Sequence, residues 1–304
     1  MKRWAAWLLV LGDASPANAG PWLQEPGGIQ AGLGIGYWSA EEKFAGRDDR
    51  GRADRCPAHR NGDPARPAEP GDRIDFSPDT CGALEAFEVR LDGAVGVARW
   101  LEAQVSVPLQ RVSFETINAG EVQPRTGLGD VRVALQQGLK GERVAVAIRQ
   151  ELKLPTGESL SRRDRVIFVP LSEGQADLAL QGHIGVSLWP YGYAAAAGGY
   201  RVRTRNDDLG LDPGDEWDLR VDLGARILEW LTLHLAGDAL LGTASIDAFG
   251  LPRSPRRFFS VWTGLHVAAG ARVSVRADVR FALAGQAYPA GTQVFLGLSW
   301  QVRP

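Results

Sequence analysis

Apolar and polar side chains alternate at every second position in many short stretches of this chain. In residues 217–227 the odd positions are Trp, Leu, Val, Leu, Ala and Ile, and most of the positions between them are Asp or Arg. A period of two places each set on its own face of a β-strand. Because nearly all of the strands have one apolar and one ionic face, we expect a single sheet with an apolar medium outside and a polar one inside.

The connections between these stretches alternate between short and long. Bacterial outer-membrane barrels have the same parity, with short periplasmic turns, longer extracellular loops and an even number of strands. We therefore predict an all-β fold: a single-chain transmembrane antiparallel β-barrel of about twelve strands in the bacterial outer membrane, with both termini on the periplasmic side. The predicted strands cover residues 28–38, 87–97, 101–114, 128–138, 143–154, 176–188, 192–203, 216–228, 231–242, 258–269, 272–283 and 292–302.

Aromatic residues cluster near the ends of the predicted strands, as in the two interfacial girdles of a membrane barrel. Aromatic residues also flank strand ends in soluble sheets, so the clustering supports the barrel without deciding it. Those near the short turns are Trp100, Trp189, Tyr191, Trp230 and Trp300. Those near the long loops are Tyr37, Trp38, Phe114, Trp217, Phe258 and Phe259.

Residues 1–19 have the features of a secretory signal peptide. Two basic residues precede a short apolar stretch at 4–11, and the sequence Ala-Asn-Ala at 17–19 is a small-residue cleavage pattern. The mature barrel is then expected to cover residues 20–304. The sequence alone does not place the segment 20–27, which lies either inside the barrel mouth or outside it.

Residues 40–82 form the longest connection and are predicted to be an extracellular loop, because they lack the apolar residues that would make a core. Both cysteines of the chain, Cys56 and Cys81, belong to this part of the sequence. In an exported protein this favours a disulfide bond, with two free thiols as an alternative. Cys56 and His59 also have a Cys-x-x-His spacing, but a fourth ligand is lacking nearby, so no metal or cofactor is predicted.

The formal net charge of −2 gives no reason to expect a nucleic-acid partner. No glycine-rich phosphate-binding loop leads from a strand into a helix, so no nucleotide site is expected either. The expected partners are outer-membrane lipid and lipopolysaccharide, a small-molecule solute and the barrel-assembly machinery. Arginine clusters at 162–165, 201–205 and 253–257 lie in or beside predicted outer loops, where they either contact lipopolysaccharide phosphates or face solvent.

Ionic side chains of both signs are predicted to face the barrel interior. They either line a polar path and set its selectivity, or pair across strands and stiffen the lumen. Barrels of ~8 strands are filled by side chains and barrels of ~16–18 leave a channel, so a twelve-stranded lumen is either open or plugged. The predicted lumen and selectivity residues are Arg90, Asp130, Arg132, Arg149, Glu151, Asp218, Arg220 and Arg276.

A barrel enzyme would need a serine nucleophile beside a histidine base. The candidates are His183 with Ser187, His234 with Asp238, and His266. His183 and Ser187 share a strand face, but four residues along a strand cover ~13 Å, which is too far for a hydrogen bond. We predict no catalytic residues, and the histidines are interpreted as polar lumen or surface residues.

Four segments carry a resemblance to a known family. They are Thr-Gly-Leu-Gly-Asp-Val-Arg-Val at 126–133, Leu-Lys-Leu-Pro-Thr-Gly-Glu at 152–158, and the stretches 28–39 and 96–102. In order and spacing they resemble the bacterial outer-membrane transporter family labelled after the meta-pathway of phenol degradation, which is related in architecture to fatty-acid and hydrocarbon transporters. The resemblance implies a channel for small, often hydrophobic molecules. The chain departs from such barrels at its C-terminus, which ends in Pro304 instead of an aromatic residue.

The sequence therefore predicts an outer-membrane channel for passive or facilitated passage of a small molecule, hydrophobic or aromatic according to the resemblance. The alternative is a non-transporting envelope scaffold or surface-binding barrel that acts through its long first loop. A soluble secreted β-sandwich is the remaining rival, and it would bury the apolar faces against a second sheet.

Overall fold

A computed structural model of the protein describes residues 21–44, 73–75, 82–116, 122–159, 170–188, 190–208, 210–246 and 252–302. Within these ranges, no helix is long and apolar enough to span a membrane. The predicted signal peptide, both cysteines and most of the first loop lie outside the described residues. The signal cleavage and the Cys56–Cys81 disulfide therefore stay predictions.

Twelve long strands form the wall of the structure, and we number them β1 to β12 in chain order. Their limits lie within a few residues of the predicted ones, except that β2 begins at Gly82, well before the predicted residue 87. The strands are β1 Ile29–Ala40, β2 Gly82–Ala98, β3 Leu101–Thr116, β4 Val131–Lys140, β5 Val144–Leu154, β6 Asp177–Ser187, β7 Gly192–Arg203, β8 Glu216–Leu228, β9 Leu231–Gly242, β10 Arg257–Ala268, β11 Val273–Gln286 and β12 Thr292–Val302.

The twelve strands close into a barrel. Each pairs antiparallel with its neighbour in the chain, and β12 returns to pair with β1 from Ile29–Val302 to Ser39–Thr292. Closure leaves no unpaired strand edge along the wall. The predicted twelve-stranded antiparallel barrel is confirmed. Ile29 and Val302 both lie at the end that carries the short turns, which we call the short-turn end, and the opposite end is the long-loop end.

The connection before β4 differs from the prediction of an irregular loop. Residues Val122–Leu128 form a further strand that pairs with the part of β3 nearest the long-loop end, from Phe114–Val122 to Leu109–Leu128. It precedes β4 with only Gly129 and Asp130 between them. The segment has little apolar alternation, because it lies at the long-loop end, beyond the part of the wall where an apolar outer face is needed.

Side chains sort between the two faces of the wall as the period of two predicts. Along β5, burial alternates at every residue. Val146 and Ile148 are 43 % and 53 % exposed on the outside, whereas Arg149 and Glu151 are 9 % and 7 % exposed inside. Leucine and valine side chains cover the outside of the other strands in the same way. An apolar surface this extensive is far larger than soluble proteins expose, so hydrocarbon is the medium that the wall fits.

The aromatic girdles are confirmed in part. Two residues predicted near the long loops, Trp38 and Phe258, point into the barrel and are 8 % and 7 % exposed. Each follows or precedes an outward aromatic residue by one position, so the period of two turns it inward. Trp38 packs inside with Leu84 and Val112. Those that stay outside at the short-turn end are Trp100, Tyr191, Trp230 and Trp300.

Short strands at the long-loop end tie the first and last connections together. Glu42–Phe44 pairs with Arg73–Asp75 and with Tyr288–Pro289. The sequence predicted no regular structure between 40 and 82, because a three-residue strand is too short to produce a periodic signal. A second pair, Ser245–Ile246 with Pro252–Arg253, lies between β9 and β10.

We expect an arginine on the outer face to destabilise the barrel according to its depth in the membrane. Leu91 is 50 % exposed in the middle of β2, and Leu139 is 71 % exposed beside the turn after β4. Leu91→Arg should lower the free energy of unfolding by about 2–4 kcal/mol, and Leu139→Arg by about 0–1 kcal/mol. Reversible urea unfolding in lipid vesicles measures both, and equal losses at the two sites would contradict a membrane-embedded wall.

Candidate functional site

A cavity of about 180 Å³ occupies the lumen toward the long-loop end. Inward side chains of β2 to β11 form its wall, and residues 171–173 and Tyr288 add to it from the long connections. The lining contains eight basic side chains (seven Arg and one Lys) and seven acidic ones, so their formal charges sum to +1. The cavity is therefore strongly ionic but close to neutral.

Seven of the eight predicted lumen residues line this cavity: Arg90, Asp130, Arg132, Arg149, Glu151, Asp218 and Arg220. The eighth, Arg276, lies on the inside of β11 below the cavity, where it pairs with Asp278 and lies 3.4 Å from the ring of His234. The structure thus brings seven of the predicted residues to one site. Their role in selectivity stays a prediction.

The wall formed by β4 and β5 carries a row of paired charges. Glu151 accepts a hydrogen bond from Arg149 at 2.6 Å and lies 3.7 Å from Arg132. Arg149 and Glu151 are two positions apart on one strand, so the same period that turned both inward also placed them side by side. Each charge here is buried with an opposite partner, which offsets the cost of removing it from water.

The middle of the inner face of β7 carries only small residues. Its inward positions between Tyr193 and Arg201 are Ala195, Ala197 and Gly199. Side chains of β6 and β8 therefore meet across it, and Gln181 donates a hydrogen bond to Asp218 at 2.8 Å over Gly199. In the sequence this feature corresponds to the run of alanine and glycine at 194–199.

A largely buried group of ion-paired charges lies at the long-loop end of the cavity, and we call it the outer clamp: Glu173, Glu216, Lys153, Arg203 and Arg256. Glu173, from the connection between β5 and β6, pairs with Arg203, with Lys153 at 3.3 Å and with Arg256 at 3.1 Å. Arg203 and Arg256 also hold Glu216, at 2.9 and 2.6 Å. One loop carboxylate thus joins three parts of the rim. Sequence reasoning missed this group because its members are far apart in the chain.

The electrostatic environment keeps Glu173 ionised. Burial alone would raise the pKa of its carboxyl group, but the positive charges of Arg203 and Lys153 outweigh burial and lower the pKa to about 2. Gln175 donates a further hydrogen bond to the same carboxylate at 2.9 Å. The outer clamp therefore retains its central negative charge throughout the neutral and mildly acidic range.

Residues 21–28, which we call the inner segment, cross the barrel at the short-turn end. On one side Gly27 N–H donates to the Gly96 carbonyl at 2.8 Å, and Gln24 N–H donates to the Glu102 carboxylate at 2.6 Å. On the other side Trp22 packs edge-on against Tyr193, with ring centroids 5.7 Å apart. Because Gly96 is on β2 and Tyr193 is on β7, the segment reaches from one wall to the opposite one.

Two glycines make room for the inner segment. A Cβ atom on Gly96 would lie 2.1 Å from the Glu25 carbonyl oxygen, and one on Gly185 would lie 2.8 Å from both Pro21 and Trp22. At Gly96 one backbone approaches another, so glycine is required there. At Gly185 the absence of a side chain leaves room for the side chains of Pro21 and Trp22. The question that the sequence left open is answered: described residues of the segment 20–27 lie inside the barrel mouth.

The histidine pairs considered for catalysis do not form. Neither ring nitrogen of His183 has a hydrogen-bonding partner in the described part of the chain. His234 lies 2.8 Å from Asp222 and 3.4 Å from Asp278, while Asp238 bonds to Ser260 instead. Across the described ranges, no three His, Cys, Asp or Glu side chains are grouped as metal ligands.

The chain matches no protein-family model and no curated protein sequence. Its structure is similar to that of the COG4313 outer membrane channel from Pseudomonas putida F1, with a TM-score of 0.68 and 13 % identity over 91 % of this chain and 96 % of that one. It also resembles the translocator domain of the autotransporter NalP from Neisseria meningitidis, with a TM-score of 0.50 and 8 % identity over 91 % and 89 % of the two chains.

At these identities the similarity establishes the fold, which is a closed barrel of the outer-membrane type. Closure of the sheet and the apolar outer face agree with it. The protein is a β-barrel of the bacterial outer membrane.

The outer clamp gives a prediction with a defined pH dependence. The folded-state pKa of Glu173 is lowered from an ordinary 4.5 to about 2, which corresponds to roughly 3 kcal/mol of stability. This contribution is fully present above pH 4.5 and is lost as the pH falls through 2. Glu173→Gln should therefore destabilise the barrel most at pH 7, and by clearly less at pH 3, in urea unfolding.

The matched control is Glu158→Gln in the same connection, because the Glu158 side chain is 50 % exposed and its ion pair, with Arg125, has a length of 3.5 Å. Its effect should be near zero at both pH values, since exposed ion pairs contribute little. A loss for Glu173→Gln that is equally large at both pH values would contradict an ionised clamp.

Proposed function

We propose that the protein is an outer-membrane channel through which a small solute passes without an energy source. The observation that carries the proposal is the ionic cavity inside a wall whose outer face is apolar. Polar groups inside a barrel replace part of the hydration that a solute loses when it leaves water, and hydrocarbon offers no such groups. The outer-membrane channel to which the fold is similar supports the same function.

A solute on this path meets two restrictions, the outer clamp and the inner segment. The clamp is buried and multiply ion-paired, so it is costly to open. The inner segment is held by a few hydrogen bonds and one ring contact, whereas the strands are held by continuous ladders. Elements with few contacts open at the lowest free energy. The inner segment is therefore the restriction that moves when a solute passes.

The solute class follows from the cavity and from the family resemblance together. The resemblance favours a hydrophobic or aromatic molecule. The cavity provides an apolar side, where Phe258 stacks on Tyr288 at 4.3 Å and Leu171 is buried, and an ionic side built from the predicted lumen residues. A molecule with an apolar body and one polar group fits this lining better than a pure hydrocarbon, because ionic walls are costly to desolvate.

Narrowing of the lumen at both ends favours a second candidate function. In this conformation the outer clamp and the inner segment restrict both mouths of the barrel. A barrel that never opens would act as an envelope scaffold, or as a surface-binding protein through its long first loop. Solute flux distinguishes this function from transport.

Loosening the inner segment should open the channel. Trp22→Gly removes the ring that packs on Tyr193, and we expect it to raise single-channel conductance in planar bilayers severalfold. The control is Trp230→Gly, which removes a 52 % exposed tryptophan from the outside of the wall, and it should leave conductance at the wild-type level.

Folding of each variant is checked by the mobility of the unheated protein on denaturing gels. If neither the wild type nor Trp22→Gly passes ions or small solutes while both are folded, the channel proposal is wrong and the non-transporting barrel is favoured.

A further inference from the structure

His183 is a buried polar side chain that the proposed path does not yet explain. It is 9 % exposed, it lines the cavity, and within the described chain both of its ring nitrogens lack hydrogen-bonding partners. Buried polar groups are nearly always paired, because leaving one without a partner costs stability. A group of this kind that faces a cavity is suited to a ligand.

Residues that pair in register across neighbouring strands form a row around the inside of the barrel. In the row of His183, a gap separates its side chain from the nearest charged residue. His183 pairs in register with Ala197 on β7, and Ala197 pairs with Arg220 on β8. Two strand spacings, ~10 Å, lie between the two backbones, and the alanine methyl group fills little of that distance. In the neighbouring row the equivalent gap is bridged by the hydrogen bond of Gln181 to Asp218. Among the described residues, neither ring nitrogen of His183 makes such a bridge.

Arg149 adds a third donor to this gap. It is a diagonal neighbour of His183, because Ala147, which lies two residues before Arg149 on β5, pairs in register with His183. Arg149 uses one nitrogen for Glu151, and Arg220 uses one for Asp222 at 3.3 Å. The Nε atoms of both arginines are buried and make no hydrogen bond within the described residues. We call the space between His183, Arg149 and Arg220 the donor notch.

We propose that the donor notch binds the carboxylate of a small organic acid, which names the solute class of the proposed channel and rests on that function. A carboxylate has two acceptor oxygens and suits guanidinium and imidazole donors that are separated by a narrow gap. Both arginines already have a carboxylate partner. The cavity lining has one formal positive charge in excess, so one further negative charge neutralises it. A monoanion fits this count better than a phosphate dianion.

The rest of the cavity determines the size and polarity of the part of the acid that carries the carboxylate. Toward the long-loop end the lining includes Leu171, Leu240 and the stacked pair of Phe258 and Tyr288. The volume of about 180 Å³ is below the ~300–1,000 Å³ of sites for drug-sized ligands. The acid is therefore small, with an apolar body about the size of one ring.

Calorimetric titration of the purified barrel in neutral detergent at pH 7 tests the proposal with three probes. Benzoate has the charge and the ring, benzamide has the ring without the charge, and acetate has the charge without the ring. We expect benzoate to bind at least about tenfold more tightly than either of the others, since a charged hydrogen bond contributes about that factor. Equal affinities for benzoate and benzamide would overturn the proposal, as would no heat with any probe, which is the result for a notch filled by water only.

Substitutions in the notch test where the acid binds. Arg220→Gln leaves Asp222 with His234 and Tyr193, and His183→Phe replaces the imidazole by a somewhat larger aromatic ring that has no nitrogens. Each should weaken benzoate about tenfold and leave benzamide unchanged. The matched control is Arg226→Gln, on the same strand and face but outside the cavity lining. Unchanged benzoate affinity in both folded notch variants would overturn the site.

The two proposals fail separately. If benzoate binds with the expected pattern but no solute crosses liposomes, the channel function is wrong and the site stands. If neutral solutes cross and benzoate does not bind, the channel stands and the donor notch is wrong.

Discussion

Every backbone amide in a membrane wall has to find its hydrogen-bond partner within that wall, because hydrocarbon offers none. The seam between β1 and β12 is where this chain meets that constraint, since it joins the two ends of the sheet over the whole of β1 from Ile29 to Ser39. In the middle of the seam, the inward residues of β1 are Gly32, Gly34 and Gly36. At Gly34 a Cβ atom would lie 2.6 Å from the ring of Phe295, so glycine lets that ring lie over β1.

Closure decides where the charges go. Because the outer face lies against hydrocarbon, ionic residues point inward. There they are buried close together, and each is stabilised by a partner of opposite charge. Arg149 with Glu151, Arg280 with Asp238 and Lys153 with Asp177 are pairs of this kind. Such pairs narrow the lumen, and the space that remains lies beside β7, where the side chains are smallest. The architecture and the position of the cavity thus have one cause.

The sequence predicted the features that depend on local periodicity. Strand number, antiparallel closure and the inward orientation of Arg149 and Glu151 all follow from a period of two. Trp38 and Phe258 were assigned to the outer girdle by their closeness to loops, although the same period turns them inward. The inner segment and the outer clamp could not be predicted from the sequence. They depend on contacts such as Gln24 with Glu102 and Glu173 with Arg256, whose partners are separated by many residues and leave no periodic signal.

The bare inner face of β7 makes the bore of this barrel adjustable in small steps. A larger side chain at Ala197, which lines the cavity, would take up free volume without removing any member of an ion pair. At the ionic positions of the lining, replacing a side chain by one of another size usually also removes a charge. Descendants of this gene can therefore alter the calibre of the passage through a single strand, while the rest of the wall keeps its electrostatic neutrality.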